Sequence, residues 1–389
     1  MKRGLVLEGG GAKGSYHIGV YKAYIENGYL FDGFVGTSIG AINAAMLASG
    51  DFENAINIWM DFDTEDLFDK EVIELLKLNK TKLDKNFPGN ITAGLKKIIV
   101  DRGIDHSKMK KFLSSCIDEN RVRKSGATFG LVTFSLDEKK PYEVFLEDIP
   151  HGKLIDYILA SARLPVFTTH TIDNKRFIDG AVYNNCPINM LIDKNYDEII
   201  VVKTNAFGIV RKFEKTDNIT IIQSNEHLGQ TLDFSTKHAK INIERGYYDG
   251  LRAIQKLAGN SYYLKNVEMD NLIQKMLLIN DKNLNKIEYF DNLKTSKKRI
   301  LLEKTIPDLA SFLNLKKEFT YEEFILALLE FQAIKKEIYK YDVYEFNVFC
   351  KLIKTAPTFN TEKNILDKVG LDFKGKKEKL ISDLIDILL

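Results

Sequence analysis

The chain has 389 residues, with 56 Lys and Arg against 54 Asp and Glu, a formal net charge of +2. A balance this close to neutral, with 44% apolar and 28% charged residues, is that of an ordinary globular protein and argues against nucleic acid as a partner. Cys116, Cys186 and Cys350 are odd in number and far apart, which fits a reducing compartment and neither a disulfide framework nor a zinc site. No apolar stretch is long enough to span a bilayer.

In chain order, the basic start Met1-Lys2-Arg3 precedes an apolar run that stops at Leu7, too short for a signal peptide. It reads instead as a first buried strand, Leu5–Leu7, and a cytoplasmic protein is expected. The turn Gly9-Gly10-Gly11-Ala12-Lys13-Gly14 follows, then a helix from Ser15 to Asn27 ended by Gly28. Phe31–Val35 is a second strand, leading through Gly36-Thr37-Ser38-Ile39-Gly40 into an alanine-lined helix, Ile39–Ala48. Strand-helix-strand-helix with short links predicts a parallel sheet with helices on its faces, and both turns then lie at the carboxyl edge, where ligands bind.

Residues 51–125 read as helices broken at Asn86-Phe87-Pro88-Gly89 and near Arg102-Gly103. Strands are expected at Ala127–Ser135 and Tyr142–Leu146, a helix at Leu154–Arg163 stopped by Leu164-Pro165, and a hairpin of His170–Ile172 and Arg176–Ile178 around Asp173-Asn174-Lys175. Glu198–Lys203 is a further buried strand. Beyond about residue 265 the pattern is almost wholly helical and lysine-rich, with Pro307 and Pro357 as breaks, and no repeat is visible. A main domain over 1–265 and a helical region over 266–389 follow from this.

The chemistry concentrates in the two glycine turns. Gly9-x-Gly11-x-x-Gly14 matches the dinucleotide fingerprint, yet no acid ends the second strand to hold a ribose, and Lys13 precedes Gly14 where a phosphate loop needs the lysine after it. The same run is a cradle of unobstructed backbone N–H groups suited to a negative oxygen. Gly36-Thr37-Ser38-Ile39-Gly40 fits G-x-S-x-G, a serine on a tight strand-to-helix turn, with a helix N-terminus aimed at a developing oxyanion. Such a serine needs a base. His17, His106, His151, His170, His227 and His238 lie in no recognisable catalytic motif. Asp179, ahead of Gly180-Ala181 at a strand end, becomes a useful base if burial raises its pKa from about 3.9.

Together, the two turns and Asp179-Gly180-Ala181 resemble the three signatures of patatin-like phospholipases, in order. Ala160-Ser161-Ala162-Arg163-Leu164-Pro165-Val166-Phe167 and Tyr183-Asn184-Asn185-Cys186-Pro187-Ile188 extend the resemblance over about residues 4–205. It implies that Ser38 is the nucleophile and Asp179 the base of a dyad. It also implies that the N–H groups of Gly10, Gly11 and Ala12 form the oxyanion hole. Gly9, Lys13, Gly14, Gly36, Gly40 and Gly180 complete the motifs, with Ala181 where many relatives carry glycine.

The fold this implies is an α/β three-layer sandwich with a central, mainly parallel sheet, plus a helical C-terminal region. The function it implies is metal-independent, cofactor-free hydrolysis of phospholipid or lysophospholipid acyl esters at a transiently visited membrane surface. Two other readings remain open from the residues: an α/β-hydrolase triad using His227 or His238, and a non-catalytic lipid-binding protein. The apolar faces Phe324–Leu329 and Leu380–Ile385 either pack in the fold or serve as basic amphipathic contacts with anionic membranes.

Overall fold

The computed structural model describes residues 1–61, 63–67, 107–163, 170–290, 296–357 and 371–389. The breaks foreseen at Asn86–Gly89 and Arg102-Gly103, the Leu164–Phe167 stretch and His106 lie outside the described residues. The chain divides into two compact units, Met1–Gln255 and Lys256–Leu389.

The first unit is built on an eight-stranded sheet. Its order is β5 (His170–Ile172), β6 (Lys175–Asp179), β3 (Thr128–Ser135), β2 (Gly33–Thr37), β1 (Arg3–Leu7), β7 (Glu198–Lys203) and β8 (Ile219–Gln223), with β4 (Lys140–Phe145) paired to β3. The run β3-β2-β1-β7-β8 is parallel, and β4, β5 and β6 add antiparallel pairings at one side. The central strands read as continuous apolar runs because both of their faces are covered.

Alternate side chains feed two different layers. Leu5, Leu7, Phe34, Phe129, Leu131, Ile200 and Val202 pack beneath α1 (Ser15–Glu26), α2 (Ile39–Ala48), the helix Phe52–Asp61 and α3 (Leu154–Ser161). α4 (Thr236–Gln255) contributes to this same layer and lies along α1. Val6, Val35, Val132, Ile199 and Val201 face the other way, against the short helix Ile188–Asp193. The result is the expected α/β/α sandwich, with one thick and one thin helical layer.

Several boundaries move relative to the sequence pattern, and two of them bear on the site. β2 covers Gly33–Thr37 and not Phe31–Val35, because the ladder with β3 continues through Gly36 and Thr37 to Leu131 and Val132. α3 stops at Ser161, two residues short of the expected Arg163.

The second unit is mostly helical, with one short parallel pair, β9 (Tyr263–Lys265) and β10 (Val343–Glu345). Pro307 does not break its helix. The chain runs from Lys297–Ile300 through a π turn, Leu301–Thr305, into Ile306–Phe312, with the proline in that last segment's first turn. The wider turn absorbs the missing N–H and the ring. The helix Phe346–Thr355 ends just before Pro357, as expected.

Phe324, Ile325, Leu328, Leu329, Leu380, Ile381, Leu384 and Ile385 are all buried in one core with Tyr262, Phe290 and Phe349. The faces that could have been membrane contacts are therefore packing surfaces of this unit. Truncating the fully buried Phe324 to alanine is expected to cost about 3–5 kcal/mol, read as a lowered denaturant midpoint with unchanged slope. A midpoint equal to wild type would mean that this face is not a core.

Candidate active site

Two turns at the carboxyl ends of neighbouring parallel strands build the site. β1 and β2 pair with Leu7 opposite Gly36. The chain leaves β1 through Glu8, Gly9 and Gly10 into a 3-10 turn, Gly11–Gly14, that runs into α1. It leaves β2 at Ser38, directly into α2.

Ser38 has φ 57° and ψ −126°, a backbone state that costs a residue with a side chain on the order of 1–3 kcal/mol. Its flanks explain the glycine spacing. A Cβ on Gly36 would run into the Gly40 backbone, and one on Gly40 into the Leu7 carbonyl of β1. The elbow is therefore pressed against the strand that carries the other glycine turn, and the positive end of α2 starts beside the serine. On the far side of the two turns, Gly14 packs against Ile39, and the Asn43 amide donates to the Gly14 carbonyl at 2.8 Å.

Asp179 ends β6 and caps the 3-10 turn Gly180–Val182 by accepting the Ala181 N–H at 2.8 Å. The Ser38 side chain stands beside it and favours its charged form. Asp179 is 4% exposed. Burial pushes its pKa from 3.8 up to about 6, outweighing the Ala181 N–H and the Ser38 side chain, which favour the charged form. Such a pair can move a proton from hydroxyl to carboxylate near neutral pH.

The glycine turn presents its N–H groups unequally. Among the described residues the Gly10 and Gly11 N–H groups meet no acceptor, whereas the Ala12 N–H donates to the Thr231 carbonyl at 2.8 Å. Gly11 takes φ 58°, and a Cβ there would strike that same carbonyl. Behind the turn, the Gly9 N–H donates to the Asn185 carbonyl at 3.0 Å, and the Thr204 hydroxyl donates to the Gly9 carbonyl at 2.5 Å. The buried Glu8 in turn accepts the N–H groups of Thr204 at 2.7 Å and Asn205 at 2.9 Å, and desolvation raises its pKa.

The histidines take other duties. His17 is buried in α1, where its Nδ1 accepts from the Asn43 amide at 3.1 Å, and Asn43 Oδ1 takes the Trp59 indole N–H at 3.0 Å. Burial lowers the His17 pKa to about 3, so the ring is neutral and braces the turn. The His227 Nδ1 accepts the Gly229 N–H at 3.0 Å, and His238 lies 3.1 Å from Asp233. Among the described residues no histidine bonds to Ser38, and the titratable group beside its side chain is Asp179.

A profile of the patatin-like phospholipases matches residues 5–192. Residues 5–192 belong to that family. Among curated proteins, a probable lipid hydrolase (463L) of Invertebrate iridescent virus 6 is 25% identical over 239 residues, covering 57% of this chain and 78% of that protein. An uncharacterized NTE family protein of Mycobacterium tuberculosis (strain H37Rv) is 53% identical over 47 residues, 12% of this chain and 8% of that protein. Among solved structures, VipD from Legionella pneumophila superposes with a TM-score of 0.43 at 15% identity, covering 100% of this chain and 87% of that one. The type III effector protein ExoU does so with a TM-score of 0.33 at 15% identity, covering 100% and 78%. Membership in the patatin-like family supports hydrolysis of lipid esters.

The patatin-like site contains one contributor to which the sequence assigned no role. Ser161, the last residue of α3, accepts the Ser38 backbone N–H at 3.0 Å and donates its own hydroxyl to the Val132 carbonyl at 2.7 Å. Two residues on, the Arg163 carbonyl accepts the Asp179 N–H at 2.8 Å, and the Arg163 guanidinium bonds the Phe177 carbonyl. One short stretch thus holds the backbone of both Ser38 and Asp179. Its only signal in the sequence was its place in the Ala160–Phe167 motif. Ser161→Ala orphans a buried N–H, at a cost of about 1–3 kcal/mol, and loosens the elbow. Turnover per titrated active site is expected to fall about tenfold or more, with KM little changed. Unchanged turnover per site, with only a lower yield of folded protein, would assign Ser161 to stability alone.

Proposed function

We propose that the N-terminal unit hydrolyses a fatty-acyl ester of a phospholipid or lysophospholipid, with Ser38 as nucleophile and Asp179 as general base. The observation that carries the reading is a serine in a strained turn placed beside a carboxyl group that burial has lifted to about 6. Ser38 Oγ attacks the acyl carbonyl carbon as its proton passes to Asp179. The oxygen that becomes negative is held by the Gly10 and Gly11 N–H groups. The Ala12 N–H joins them once the Thr231 carbonyl moves aside.

Collapse of this intermediate breaks the ester bond, and Asp179 returns the proton to the departing alcohol, a lysolipid or a glycerophospho-alcohol. Water then attacks the Ser38 acyl ester with Asp179 again as base, and the fatty acid leaves with Ser38 restored. Each step uses this chain's own groups. Among the described residues no three His, Cys, Asp or Glu side chains are grouped to hold a metal ion, and no helix is long and apolar enough to cross a membrane.

Ser38→Ala is expected to abolish hydrolysis of phospholipid and lysophospholipid panels, and Asp179→Asn to lower kcat by about 10² or more. Chelator is expected to leave the rate unchanged, and recovery of activity only on adding calcium would require a different mechanism.

The pKa of Asp179 also predicts a stability effect of defined sign. The folded state binds the proton more tightly than the unfolded chain, so stability falls as pH rises from 3.8 to about 6 and stays reduced above it. The cost is about 3 kcal/mol. Asp179→Asn, which carries no charge, is expected to melt higher than wild type at pH 8. The difference should vanish towards pH 4. An Asp179→Asn protein that turns over normally, or melts lower at pH 8, would refute the assignment.

A further inference from the structure

We propose that the loop joining β7 to β8 is a docking surface that seats the site on an anionic lipid bilayer. The inference rests on the lipid-hydrolase reading and names the surface through which it works. At the tip of this loop, residues 204–218, Phe207, Ile209 and Val210 are 69%, 58% and 36% exposed. Single exposed apolar side chains are ordinary, but three within four residues form a patch.

The patch is held in place by its backbone. The Ile209 N–H donates to the Ala181 carbonyl at 2.9 Å, and the Asn185 N–H donates to the Ile209 carbonyl at 2.6 Å. The Arg211 N–H reaches Asn184 Oδ1 at 3.4 Å. Gly208 lies flat on the Asn185 side chain, and Ala206 lies beside Gly10 of the glycine turn. The loop is thereby tied to the segment that follows Asp179 and to the turn beside Ser38, so its apolar tip stands at the rim of the site.

Charge identifies the partner. From Ile199 to Phe213 the chain has no acidic residue but carries Lys203, Arg211 and Lys212. Arg211 is paired with Glu143 at 2.9 Å. Lys212 and Lys215 are exposed and make no ion pair among the described residues. Glu214, between these two lysines, and Asp217 are exposed as well, so the positive charge free of acidic neighbours in the sequence is concentrated at Arg211 and Lys212, next to the apolar tip. Apolar side chains for the acyl boundary, with cations beside them for the headgroups, fit the interface of an anionic leaflet. The apolar residues Phe324, Ile325, Leu328, Leu329, Leu380, Ile381, Leu384 and Ile385 do not offer this surface, since they are buried within the second unit.

The test is sedimentation of the full chain with vesicles of phosphatidylcholine alone or mixed with phosphatidylglycerol. Wild type is expected to bind the mixed vesicles more tightly. Phe207→Ser with Ile209→Ser should reduce binding to both by about tenfold or more. Lys212→Glu with Lys215→Glu should reduce binding to the anionic vesicles alone, by about fivefold or more per charge. All variants should hydrolyse a water-soluble short-chain ester at the wild-type rate. Unchanged vesicle binding in both variants overturns the proposal. So does a lowered melting temperature with binding intact, or a wild-type dimer that the apolar variant dissolves, because the patch then covers another part of the protein. Binding needs no turnover, so absence of ester hydrolysis in the wild type would count against the hydrolase reading and not against the docking surface.

Discussion

Asp179 sits almost wholly out of water at the end of β6, where its carboxyl accepts a hydrogen bond from the Ala181 N–H and lies beside the Ser38 side chain. These contacts are too few to replace the solvation that an ionised carboxylate loses, so the pKa rises to about 6. In the proposed reaction, that single imbalance lets an ordinarily feeble base take a serine proton near neutral pH. It also means that the folded state is strained by its own site, a cost offset by the apolar layers on both faces of the sheet.

The second constraint is steric. Gly36 and Gly40 let the elbow close on itself and on the Leu7 carbonyl, which fixes Ser38 beside the glycine turn of the neighbouring strand. Hydrogen bonds then set the finer placement. Ser161 and Arg163 hold the backbone N–H groups of Ser38 and Asp179, while Glu8 and Thr204 fix the peptide before Gly10. The Thr231 carbonyl on Ala12 leaves the turn in a resting state with two open donors.

Much of this was legible in the sequence because it is local. Glycine turns between apolar runs mark strand ends, and their order along the chain dictates a parallel sheet with both turns on one edge. The frame of β2 was misread by two residues because Gly36 looks like the start of a turn, whereas the ladder to β3 carries it inside the strand. The helix through Pro307 was read as broken because periodicity does not reveal a π turn that absorbs the proline. Ser161 and Thr231 act on Ser38 and Ala12 across long stretches of chain. No spacing rule connects such pairs. Helical spacing did reveal the apolar faces of the C-terminal region. It could not say what covers them, and the answer is the core of the second unit.

The account stands on Ser38 being activated by a buried Asp179, and the rate at which a fluorophosphonate labels Ser38 between pH 4 and pH 9 measures that directly. The labelling rate is expected to climb with a midpoint near 6 and then level off. In Asp179→Asn it should stay low at every pH, with the label still mapping to Ser38. A rate with no inflection near that pH, an undiminished rate in Asp179→Asn, or a label found on a different residue would contradict it.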